Sequence, residues 1–142
     1  MTATRAGAAL LVAVALFVAA GCGGGGTLGP ESLAKHAEAV QSLAAEGALL
    51  AGDSAAGRST RVFREEHSAE LAEAAASAAT ALKKGEAEPP LGPKLHRLAA
   101  IATRVQTDLE RLGSASTAEQ REIERRLEAA ARTSEKLGEE LA

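Results

Sequence analysis

The 142-residue chain contains no tryptophan, no tyrosine and only two phenylalanines, Phe17 and Phe63. Small-molecule pockets are usually walled by aromatic and large apolar side chains, so there is little here to build one. A single cysteine, Cys22, excludes an internal disulfide. Methionine occurs only at the first residue, which disfavours soft-copper chemistry. Positive charge is not in excess either: 16 Lys+Arg against 19 Asp+Glu leave a net charge of −3, and no basic surface invites nucleic acid. From Pro30 onward β-branched residues are few and nothing alternates with period two, so no strand is expected.

Alanine fills much of the remaining space, at 35 of the 142 residues. The N-terminus uses it in a recognisable way. One cation, Arg5, stands beside the terminal amine, and Ala8 to Ala20 then runs thirteen residues without a polar side chain. As a helix that run spans roughly 20 Å, short of the roughly 30 Å hydrocarbon core. Small residues, Ala19-Ala20-Gly21, close it. A short positive segment, an apolar segment and a small-residue junction describe a secretory signal peptide over residues 1–21.

Ala19-Ala20-Gly21-Cys22 resembles the lipobox of bacterial lipoproteins. The resemblance covers residues 1–22 and implies cleavage between Gly21 and Cys22. It also implies lipidation of Cys22: a diacylglycerol on sulfur and an N-acyl chain of the palmitate class on the new amine. The expected location is a bacterial cell membrane, lipid-anchored, facing the extracytoplasmic side. Acyl chains contribute about 0.8 kcal/mol per buried methylene, so two or three anchor without a basic patch. That suits residues 22–142, which carry 15 Lys+Arg against 19 Asp+Glu, a net −4. Gly23-Gly24-Gly25-Gly26-Thr27-Leu28-Gly29 reads as a flexible tether (residues 22–29 with the cysteine) of roughly 15 Å root-mean-square span. With so much Ala and Arg, the remainder resembles small helical lipoproteins of high-GC bacteria.

Residues 30–142 show helical periodicity, predicting helices over about 31–51, 54–84, 91–112 and 117–141. The third has Leu91, Leu95, Leu98, Ala102, Val105, Leu109 and Leu112 on one seam, and the fourth has Ile123, Leu127, Ala130, Ser134, Leu137 and Leu141. The first carries Leu33, Ala37, Val40, Leu43, Gly47 and Leu50; the second carries Phe63, His67, Leu71, Ala74, Ala78 and Leu82. Phe63, in register with Leu71 and Leu82, is expected in the core. Pro30-Glu31 suits a helix start, and Ala51-Gly52-Asp53-Ser54 reads as a stop and restart. The second helix begins at Ser54 or as late as Thr60. Gly85 and Gly113 read as stops, Glu86-Ala87-Glu88-Pro89-Pro90 as a loop, and Ser116 with Glu119, or Thr117 with Gln120, as a capping box. Four helices with short connections predict an all-α, antiparallel up-down-up-down four-helix bundle. A longer coiled coil of several copies is the other architecture, and the oligomeric state stays open. Only 21 of residues 22–142 are Leu, Ile, Val or Phe, which predicts modest stability.

No catalytic constellation is evident, and none is expected. The Gly-x-Ser-x-Gly pattern is absent, and Cys22 belongs to the anchor. Carboxylates lie four residues from cations at Glu31/Lys35, Arg61/Glu65, Arg104/Asp108, Glu122/Arg126 and Glu128/Arg132, the pattern of a solvated helix face. Three residues before His36, His67 and His96 stand Leu33, Arg64 and Pro93, so the di-iron Glu-x-x-His pattern is missing; so is Cys-x-x-Cys-His for covalent haem. A haem or metal held by His36 and His67 is the alternative reading. It works if the second helix begins at Ser54 and fails by about two turns if it begins at Thr60. No other cofactor is expected. Arg58, Arg61 and Arg64 recur every three residues beside Phe63, either a self-neutralised face or a patch for an envelope partner or an anionic ligand. The expected role is therefore non-catalytic: a lipid-anchored interaction or structural module, or else an envelope binder of small ligands.

Overall fold

Proline at the first helical position costs no hydrogen bond, and Glu31 meets the positive end of the helix dipole. Helix α1 accordingly starts at Pro30 and runs to Ala55. The computed structural model describes residues 26–142; the segment 1–21, the Gly21–Cys22 junction, Cys22 itself and residues 23–25 lie outside the described residues. Helix α2 spans Arg61–Lys84, α3 Gly92–Leu112 and α4 Thr117–Glu139, with a single 3-10 turn, Pro89–Leu91, leading into α3. The chain is an all-α four-helix bundle, and successive helices run antiparallel.

The packing is not evenly shared. α1 lies closest to α4, and α2 closest to α3; the other two seams are more open. Small residues set the close approach. A Cβ on Gly138 of α4 would lie 3.7 Å from Ala37 of α1. At mid-bundle a Cβ on Gly47 would come within 2.6 Å of Leu109 Cδ2 and 3.0 Å of Leu127 Cδ1, so α1 is bare where leucines from α3 and α4 converge. Leu33, Leu82, Leu98, Leu109, Leu112, Ile123, Leu127 and Leu137 are the largest fully buried side chains.

The stop expected at Gly52 is not there. α1 continues through it because Leu50, Ala51 and Ser54 are all buried. Burying that turn outweighs the roughly 1 kcal/mol that a mid-helix glycine costs. The true stop is Gly57, at φ +71°, the left-handed conformation that glycine adopts without a Cβ clash. Gly57 N–H donates to Ser54 O at 3.1 Å and Arg58 N–H to Asp53 O at 2.8 Å, the paired bonds of a Schellman motif. α2 therefore begins late, with Thr60 as its N-cap. Ser116 and Glu119 form the capping box of α4, donating and accepting at 2.8 and 3.4 Å.

The buried stripe of α2 is Ser68, Leu71, Ala72, Ala75, Ala79 and Leu82, rotated by about one residue from the expected Phe63, His67, Ala74 and Ala78. At the other end of the molecule Leu28 joins the fold. Its N–H donates to Glu86 O at 2.7 Å, and Glu88 N–H donates back to Leu28 O at 3.3 Å, an isolated bridge centred on Leu28 and Ala87. The Leu28 side chain covers Gly85, so the expected tether gives way to folded chain here, one residue before the α1 N-cap Gly29.

Candidate functional site

Residues 53–67, at the end of the bundle opposite Leu28, carry the arginines and the aromatic singled out in the sequence. The Thr60 hydroxyl accepts from Phe63 N–H at 3.2 Å, fixing the first turn of α2. Because α2 starts only at Arg61, Phe63 lies in that turn, above the last core layer. It is 53% exposed, and its neighbour Val62 is 62% exposed. The expectation of a core phenylalanine is thus corrected. Extending the observed stripe back from Leu71 and Ser68 leads to Arg64, not to Phe63.

The three arginines do not form one ridge. Arg58 lies in the connection before α2 and holds Asp53 Oδ1 through Nε at 3.0 Å and Nη2 at 2.7 Å. Arg61 donates to Glu65 Oε1 at 2.6 Å, and this bond raises the guanidinium pKa above its ordinary value. Arg64 reaches across to the C-terminus of α3, donating to Gly113 O at 3.2 and 3.3 Å. There the cation meets the negative end of the helix dipole. Each of the three arginines is answered locally, and Val62 and Phe63 stand exposed beside them.

The other face of Phe63 stacks on His67, with centroids 5.3 Å apart and the planes 25° from parallel. His67 bridges two carboxylates: Nε2 to Glu46 Oε1 at 2.8 Å across to α1, and Nδ1 to Glu70 Oε2 at 3.4 Å along α2. Glu46 is a partner that the sequence did not suggest, because the α1–α2 register depends on where α2 begins. His36 is ten residues from Glu46, roughly 15 Å along α1. The structure therefore does not bring His36 and His67 together, and one chain cannot ligate a single iron through both. His36 is half-buried, and burial lowers its pKa, so the ring is neutral at physiological pH.

Of the expected helix-face pairs, Glu31/Lys35, Arg61/Glu65, Glu122/Arg126 and Glu128/Arg132 form, at 2.9, 2.6, 3.4 and 3.8 Å. Arg104/Asp108 does not. Asp108 accepts instead from Arg126 of α4, at 2.8 and 3.0 Å, which locks α3 to α4. Ser68 Oγ donates to Glu65 O, Ser54 and Ser134 hydroxyls are buried without a partner, and no serine bonds a histidine among the described residues. Among those residues no group of three or more His, Cys, Asp or Glu side chains converges as metal ligands would, and no helix is long and apolar enough to cross a membrane.

Compared with known proteins, the chain matches no family model, and no curated protein or solved structure is significantly similar to it.

Proposed function

We propose that the protein is a non-catalytic bacterial lipoprotein, anchored through lipid on Cys22 on the extracytoplasmic face of a cell membrane, whose bundle presents its far end to an envelope partner. The observation that carries the reading is the polarity of the bundle. Leu28, where the chain from Cys22 enters the fold, is hydrogen-bonded at one end, and the exposed Val62–Phe63 pair lies at the other. Aromatic side chains and arginine are both enriched at contact surfaces. Here Arg58, Arg61 and Arg64 are held in place by Asp53, Glu65 and Gly113, which preorganises the end of the bundle that carries Phe63.

The test has two arms. Cys22→Ser in the full chain is expected to release the protein from the membrane and to remove the lipid mass from the N-terminal peptide. A photo-reactive residue at Val62 is expected to capture one envelope protein in cells, and Phe63→Asp to abolish that capture without changing helicity. Membrane retention by the Cys22 variant would reject the anchor. Capture that is unchanged by Phe63→Asp would reject the tip as the contact.

A further inference from the structure

A second surface, on the flank of the bundle, is independent of the tip and of the anchor. The open seam between α3 and α4 holds a cleft of about 540 Å³. The buried Ile101 lies among its lining with Ala100, Ala129 and Ala130, and Arg97, Arg104 and Arg126 border it. Arg126 is taken up by Asp108 and Glu122. Arg97 and Arg104 are exposed and have neither an ion-pair nor a hydrogen-bond partner among the described residues. Two free guanidiniums beside an apolar cleft stand out in a chain of net −3.

Arg97, Ala100 and Arg104 stand three and then four residues apart. The same spacing with acidic ends occurs at Glu31-Ala34-Glu38, Glu66-Ala69-Glu73 and Glu128-Ala131-Glu135, and only on α2 is neither end ion-paired among the described residues. Positions i, i+3 and i+7 share one helix face, which puts the charges in each stripe about 10.5 Å apart along the axis. Glu66, Ala69 and Glu73 are all exposed, and neither glutamate has an ion-pair partner among the described residues. Alanine at the centre of both stripes lets two helices approach closely enough for the longer charged side chains to meet on either side.

We infer that the α3–α4 cleft is a self-docking groove, occupied by the exposed Glu66-Ala69-Glu73 stripe of α2, on the side that borders α3, from a second copy of this chain, with Glu66 and Glu73 paired to Arg104 and Arg97. Groove and occupant lie on different faces of the bundle, so the contact is head-to-tail. Opposite charge at matched spacing sets the register, and the alanines exclude water between the charges.

A photo-reactive residue in place of Ala100, in the full chain co-expressed with an epitope-tagged copy, tests the inference in the cell. The expected product on irradiation is an adduct to the tagged copy within α2. Arg97→Glu with Arg104→Glu is expected to lower that adduct about tenfold, equivalent to roughly 1.4 kcal/mol. Glu66→Arg with Glu73→Arg in the tagged copy is expected to restore it, because the charges are then swapped across the same contact. All four side chains are exposed, so circular dichroism should be unchanged in each variant. The reciprocal probe at Ala69 covers the case in which a bulky group at Ala100 blocks docking. An adduct to a different protein, an adduct to the second copy outside α2, no adduct from either position, or a loss that the charge swap leaves unrepaired would overturn the proposal.

Discussion

α2 and α3 are neighbours of similar length, 24 and 21 residues, packed closely side by side, yet they reach the core by opposite means. α3 buries Leu95, Leu98, Ile101, Val105, Leu109 and Leu112, side chains that fill space. α2 buries only two leucines, Leu71 and Leu82; Ser68, Ala72, Ala75 and Ala79 make up the rest. A buried leucine contributes about 1.5–3 kcal/mol. Alanine contributes less area but lets the neighbouring helix come near. One helix is therefore anchored by what its side chains occupy, and the other by what they leave free. The difference also decides legibility. Leucines on α3 mark both the period and the phase of the buried face. On α2, alanine stands at positions 72, 74, 75, 76, 78 and 79, and the period is visible while the phase is not.

The contrast is sharpest at Leu109, fully buried and seated where α1 has only Gly47. Leu109→Ala should lower unfolding free energy by about 3 kcal/mol in urea titration, through lost transfer energy plus a cavity. A change of less than about 1 kcal/mol would mean that α3 is no better anchored than α2. On α2 itself the phase can be tested by one pair of variants. Ala75 is 1% exposed and Ala74 is on the surface. Ala75→Leu is expected to cost about 2 kcal/mol by overpacking, and Ala74→Leu to stay within about 0.5 kcal/mol. The reverse order would restore the stripe that sequence periodicity suggested. The smallest effect separates two helical glycines of α1. At Gly52 the atom nearest an added Cβ, at 2.5 Å, is the far end of the Glu124 side chain, which can swing away. Gly52→Ala should then stabilise by about 0.5–1 kcal/mol through helix propensity. At Gly47 the obstructing Leu109 and Leu127 are both fully buried, so Gly47→Ala should show no such gain and a lower midpoint.

Much of the fold could be read from local chemistry. The capping box at Ser116 and Glu119, the stops at Gly85 and Gly113, and the seams of α3 and α4 all use contacts within a few residues of each other. The exceptions share a cause. Gly52 looked like a stop because glycine is a poor helix residue, but the turn is held by burial of Leu50, Ala51 and Ser54. That displacement moved the start of α2 to Arg61, which in turn placed Phe63 at the surface and set His67 opposite Glu46 instead of His36. Asp108 had a cation four residues away in Arg104 and took one from α4 instead, since α3–α4 packing puts Arg126 in its reach. For the candidate site, the residue types were visible beforehand, whereas their partners were not: Arg64 answers a carbonyl 49 residues away.

By itself, then, the sequence determined four helices, the capping box of α4, the stops at Gly85 and Gly113 and the leucine seams of α3 and α4, because propensity, caps and period act over one or two turns. Only the tertiary structure decided how far α1 extends, which alanines of α2 face inward, and which charges are free. Those depend on how closely helices approach one another, and in an alanine-rich chain the face that permits the closest approach is selected by the neighbours across the gap.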